Sequence, residues 1–138
     1  MTTEVVTITE QTSLKEVGRI FEENDFNGLP VLNSEGRLIG MVTKLDFLKA
    51  FVFTDKVKVP PYDTIMCRTA AKVMTTDLRF ADPEMPLTRV INRMVETKYK
   101  SLPVLDNEKL VGMVAREDIL SALRRAAQGQ LPERMAQA

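Results

Sequence analysis

Apolar positions recur along the chain in two alternating rhythms. Leu14, Val17 and Phe21 fall on one face at helical spacing, and Ser13 with Glu16 form a capping-box signature just ahead of them. Leu87, Val90, Ile91, Met94 and Val95 follow the same helical period, with Pro86 in the first turn of the predicted helix. After each helix come two short apolar runs, Leu29–Leu32 with Leu38–Val42 and Leu102–Leu105 with Leu110–Val114. Four or five polar residues separate the members of each pair, which predicts two antiparallel hairpins. A closing helix carries Leu45, Leu48 and Phe51 in one case, and Ile119, Leu120 and Leu123 in the other. Ahead of the first helices, Val5–Ile8 and Leu78–Ala81 read as opening strands. The predicted order is β-α-β-β-α, twice, an α+β chain.

The two halves are copies. Gly28-Leu29-Pro30-Val31-Leu32 returns as Ser101-Leu102-Pro103-Val104-Leu105, and Met1-Thr2-Thr3-Glu4 returns as Met74-Thr75-Thr76-Asp77, both displaced by 73 residues. Leu38-Ile39-Gly40-Met41-Val42 returns as Leu110-Val111-Gly112-Met113-Val114, displaced by 72. The one-residue slip falls in the hairpin turn, where changes of length are best tolerated. The boundaries this implies are repeat one at 1–54, a linker at 55–71, repeat two at 72–127 and a polar tail at 128–138. Pro60-Pro61 interrupts regular structure in the linker, and Ala70–Val73 predicts a short helical lead-in to repeat two.

Composition narrows the function classes. Of 138 residues, 19 are basic and 19 acidic, so no net field draws the protein to nucleic acid or an anionic membrane. Histidine is absent, removing the commonest general base and metal ligand. Cys67 stands alone, so neither an internal disulfide nor a cysteine-cluster zinc site is available. No Walker loop or dinucleotide glycine pattern occurs, no apolar run approaches a membrane span, and no secretory leader is recognisable. A binding module in a reducing, cytoplasmic setting is expected rather than an enzyme, with no catalytic residues and no metal.

The duplicated Leu-Pro-Val element and the duplicated Gly-Met-Val-x-x-x-Asp element, in this order over essentially the whole chain, resemble a tandem pair of cystathionine-β-synthase (CBS) domains, a Bateman module. The resemblance implies two β-α-β-β-α repeats packed through their sheets about a pseudo-two-fold axis. It also implies regulatory binding of AMP, ADP, ATP or S-adenosylmethionine, a homodimer, and control of an attached or partner enzyme or transporter. A dimerisation module without ligand is the alternative.

The chemistry concentrates at Thr43-Lys44-Leu45-Asp46. Gly40 lets a ligand or another backbone approach the strand. A helix start after Thr43 offers free N–H groups to a phosphate, and the Asp46 carboxylate can accept from two ribose hydroxyls. The same residues also spell a capping box that needs no ligand. Repeat two keeps Asp118 but has Ala115 in place of the threonine. By resemblance, each ligand site draws on both repeats. Site A joins Thr43, Lys44 and Asp46 to Asp77, Leu78, Arg79, Tyr99, Lys100, Ser101 and Pro103. Site B joins Ala115, Arg116 and Asp118 to Glu4, Val5, Val6, Phe26, Asn27, Gly28 and Pro30. Arg79 and Lys100 would neutralise phosphate in site A, and Tyr99 or Phe26 would pack on adenine, unless these aromatics only fill the core. Glu4 and Glu117 make site B the poorer host for a polyphosphate.

Overall fold

A computed structural model describes residues 1–52 and 62–129; Pro60-Pro61, the linker portion 55–61 and the tail beyond Gly129 lie outside the described residues. The chain divides into two compact units, Val6–Leu78 and Met1–Val5 with Arg79–Ala138.

In the first unit, β1 (Ile8–Thr9) runs parallel to β2 (Gly28–Leu32), which pairs antiparallel with β3 (Leu38–Thr43). The opening strand is thus shorter than Val5–Ile8, because only Ile8 and Thr9 have partners, Val31 and Leu32. Helix α1 (Leu14–Glu23) starts at Ser13, whose hydroxyl accepts from the Glu16 N–H at 3.2 Å. Glu16 does not return the bond expected of a full capping box, since its carboxylate is taken by Arg19. Leu14, Val17 and Ile20 are the buried stripe of α1, and Phe21 packs at its edge. Full burial of Leu14, Val17 and Leu29 contributes about 1.5–3 kcal/mol for each side chain.

Helix α2 (Lys44–Lys49) follows β3 directly. It buries little of its apolar surface: Leu45 and Leu48 are each 61% exposed, while Phe47 packs on Phe51 and Phe21. Inside the predicted linker, α3 (Tyr62–Met66) inserts Ile65 into the core. The predicted lead-in is a single 3-10 turn, Ala70–Lys72. The turn and the residues just before it are fastened to residues 10–14 by bonds from Leu14 N–H to Arg68 C=O and Ala70 N–H to Thr12 C=O, both 2.8 Å.

The second unit repeats the hairpin with β4 (Ser101–Asp106) and β5 (Lys109–Ala115), preceded by α4 (Leu87–Thr97) and followed by α5 (Arg116–Ala127). The expected opening strand reduces to one residue, Ala81, in a parallel bridge with Val104. Leu87, Val90 and Met94 are the buried stripe of α4, with Ile91 packed beside them. Val95 is 71% exposed despite its periodic position, since α4 meets the core along a narrower stripe than the full pattern.

Both hairpins place a proline in mid-strand, opposite Met41 and Met113. A strand proline forfeits a ladder bond unless its partner's bonds point elsewhere. Here they do. Met41 exchanges both backbone bonds with Thr75, at 3.0 and 2.8 Å, and Met113 exchanges both with Thr2, at 2.8 and 2.9 Å. The Met-Thr dipeptide that opens each repeat therefore pairs with the hairpin of the other repeat, which explains the composition of the two units.

Candidate functional site

Gly40 and Gly112 show what those crossings require. A Cβ on Gly40 would stand 2.8 Å from Met74 Sδ and 3.2 Å from the Thr75 carbonyl oxygen; one on Gly112 would stand 2.7 Å from the Thr2 carbonyl oxygen. Of the two alternatives open for Gly40, the close approach of another backbone is the one observed.

The crossing brings a third residue to the Thr43–Asp46 pair. Thr43 is extended, ends β3 and caps α2: its Oγ1 accepts from the Asp46 N–H at 3.1 Å. Asp46 Oδ2 accepts from the Thr43 N–H at 2.9 Å, completing the box. The Thr75 hydroxyl donates to both carboxylate oxygens at 3.3 Å. Among the described residues Asp46 is the one charged side chain that is buried, only 7% exposed, and a carboxylate tolerates burial only when donors surround it. Its acceptor capacity of about four positions is not filled by one N–H and one long, shared hydroxyl bond. The reading as a cap is therefore correct, and acceptor capacity remains. Asp77 and Lys44 are exposed, and Leu78 is half-buried.

In the second unit the same position is less complete. Asp118 Oδ2 accepts from the Ala115 N–H at 2.8 Å, but alanine has no acceptor to return to the Asp118 N–H. Asp118 is half-buried, and no hydroxyl donor like Thr75 reaches it among the described residues. Glu4 and Glu117 are exposed, as are Val6 and Thr2, and Val5 is half-buried.

Tyr99 packs against the core of the second unit and Phe26 against that of the first, so both aromatics are at least partly core residues. Arg79 and Lys100 are exposed, and neither has an ion-pair partner among the described residues. Ser101 pairs with Ala115 in the hairpin, Gly28 pairs with Thr43, and Asn27 is half-buried. Pro30 and Pro103 are fully buried and leave a ligand no surface. Arg116 is committed elsewhere: Nη2 donates to the Lys98 carbonyl at 2.8 Å, Nε to the Tyr99 carbonyl at 3.2 Å, and its own N–H to the Lys100 carbonyl at 3.1 Å.

Thr75 was absent from the sequence-derived set. The repeated Met-Thr of Met1-Thr2 and Met74-Thr75 was the available signal, but nothing local shows which strand such a dipeptide joins. Among the described residues no cluster of acidic, cysteine or histidine side chains suits a metal ion, and no helix is long and apolar enough to cross a membrane.

The comparisons with known proteins bear on the fold and the family. An uncharacterised protein of Methanocaldococcus jannaschii, MJ1426, is 31% identical, with 86% of this chain matched to 85% of that one. A homoserine O-acetyltransferase of Methanococcoides burtonii is 32% identical over 86% of this chain, which spans only 22% of that enzyme. The crystal structure of the CBS domain pair of protein MJ0100, in complex with 5′-methylthioadenosine and S-adenosyl-L-methionine, superposes with a TM-score of 0.68 at 25% identity, covering 91% of this chain and 89% of that one. The CBS domain model itself matches twice, at residues 1–53 and 70–125, and the chain belongs to the CBS-domain family as a tandem pair.

Proposed function

We propose that this protein is a regulatory module that binds an adenosine-containing nucleotide (AMP, ADP, ATP or S-adenosylmethionine) and converts occupancy into a change of conformation. The observation that carries the reading is the buried Asp46 carboxylate with acceptor capacity to spare. A vicinal diol fits such a group, since two adjacent hydroxyls can donate to its two oxygens. The adenosine ligands of the similar MJ0100 domain pair support the same class. Thr43, Lys44, Asp77 and Leu78 accompany Asp46 as ligand-binding residues. Arg79 and Lys100 supply exposed cations for phosphate, Tyr99 offers a ring face to adenine, and Ser101 a hydroxyl. The Asp118 position, with Ala115, Glu4, Val5, Val6, Phe26, Asn27 and Gly28 but without the committed Arg116, is the weaker site and suits a less anionic ligand.

In this reading the chain catalyses nothing, works in the cytoplasm as a homodimer, and controls an enzyme or transporter. The match to a fraction of an acetyltransferase supports such a partner. A second reading, ligand-independent dimerisation, is favoured by the exposed apolar residues Leu45, Leu48 and Val52. Thermal melts with AMP, ADP, ATP and S-adenosylmethionine separate the two. A ligand at 100 times its Kd adds about 2.7 kcal/mol, several degrees of melting temperature. No shift with any of them at millimolar concentration leaves the dimerisation reading standing.

A further inference from the structure

We propose that Arg116 is the positioning residue of the Lys98–Ser101 segment, fixing where the Tyr99 ring and the Lys100 ammonium stand and thereby setting nucleotide affinity. This rests on the proposed function, which gives Tyr99 and Lys100 their part in binding.

Three observations carry it. Helix α4 does not end on glycine: Lys98 adopts φ 61° and ψ 19°, the left-handed conformation that side chains disfavour. A chain leaving a helix through such a residue needs outside contacts to stay put. Arg116 supplies them, bonding the carbonyls of Lys98, Tyr99 and Lys100 in succession through its guanidinium and its own N–H. The planar guanidinium presents several N–H donors in a rigid fork, and two of them meet adjacent carbonyls here. Finally, repeat one lacks the device. Its counterpart residue is Lys44, which has no such bonds among the described residues, and α1 closes with Asn24 in an extended conformation whose side chain bonds the Ile20 carbonyl.

Arg116 is also the first residue of α5, two positions before Asp118. One side chain thus ties the helix start that carries Asp118 to the turn that carries Tyr99 and Lys100, and the two move as one body.

The test compares wild type with Arg116→Met and Arg116→Lys. Arg116 is exposed, so both variants fold, which circular dichroism and melting curves verify. Calorimetric titration with AMP and with adenosine is expected to show both variants about 3- to 10-fold weaker than wild type for either ligand, the value of one ordinary hydrogen bond. The loss should appear with Lys because lysine keeps the charge without the fork. Full affinity in Arg116→Lys, or a loss confined to AMP, would instead mean a direct charge on phosphate and would overturn the proposal. Unchanged affinity with a lower melting temperature overturns it too. If wild type binds neither ligand, the proposed function fails. Amide hydrogen exchange over residues 98–102 then decides the brace by itself: faster exchange in Arg116→Met upholds it, and equal exchange removes it.

Discussion

The two repeats share a plan and differ in how their ends are fastened. In repeat one, Asp46 closes a reciprocal cap with Thr43, and its carboxylate takes a second donor from Thr75 and is buried. In repeat two, Asp118 has one backbone donor and stays half-exposed. The contrast reverses at the turn after the first helix. Repeat two braces a left-handed Lys98 with Arg116, while repeat one uses the Asn24 side chain and leaves Lys44 in solvent. Duplication preserved the hairpin cores, where Leu29, Val31 and Val42 match the fully buried Leu102, Val104 and Val114. Divergence gathered at the helix starts and turns, where a side chain can change without opening a cavity. These are also the positions to which the proposed function assigns ligand contacts.

The largest test of this asymmetry is at the two aspartates. Asp46→Asn is expected to weaken AMP binding by about 100-fold or more, since two hydrogen bonds to a charged group are lost at about 1.5–3 kcal/mol each. Asp118→Asn should cost no more than about 10-fold; equal losses in parallel titrations would make the repeats equivalent. Next come the glycines. Gly112→Ala forces its methyl against the rigid Thr2 carbonyl and should cost about 1–3 kcal/mol in urea unfolding. Gly40→Ala meets first the flexible end of Met74 and should cost less.

A smaller effect is expected at the caps. Thr43→Ala should lose about 1 kcal/mol of stability, and Ala115→Thr, which completes the missing half of the cap, should gain a comparable amount. Ala115 is already extended, with φ −108° and ψ 167°, so the new hydroxyl needs no change of backbone. A Thr43→Ala protein as stable as wild type would remove the cap from the account of Asp46. Smallest is Lys98→Gly, expected to raise stability by about 0.5 kcal/mol, because relief of the left-handed lysine is partly offset by the entropy of glycine. The same change in repeat one, at Asp25, should give no gain, because no positive φ occurs there.

Much of the fold is legible in the sequence because its signals are local. The hairpins lie within a residue or two of their expected limits, since two short apolar runs joined by a few polar turn residues specify an antiparallel pair. Helix α1 begins at the predicted Ser13 because a cap is decided by residues within one turn. The opening strands were overestimated. Val5–Thr7 and Leu78–Phe80 have the composition of strands but no ladder partners. Helix α3 was missed because five residues hold too little of a period to be seen. At the candidate site, Thr43 and Asp46 were legible as a motif, whereas Thr75 and the true partners of Arg116 were not.

The sequence by itself determined the duplication, the α+β order of elements and the aspartate that follows each hairpin, because these rest on spacing and identity within a few residues. The tertiary structure decided that Met1-Thr2 and Met74-Thr75 each pair with the other repeat's hairpin. It decided also that the Asp46 carboxylate gains a second donor, and that Leu45 and Leu48 remain in solvent. The two crossings and the Thr75 bond depend on contacts between residues 29 to 111 positions apart, whose formation leaves no trace in the local pattern of apolar and polar side chains.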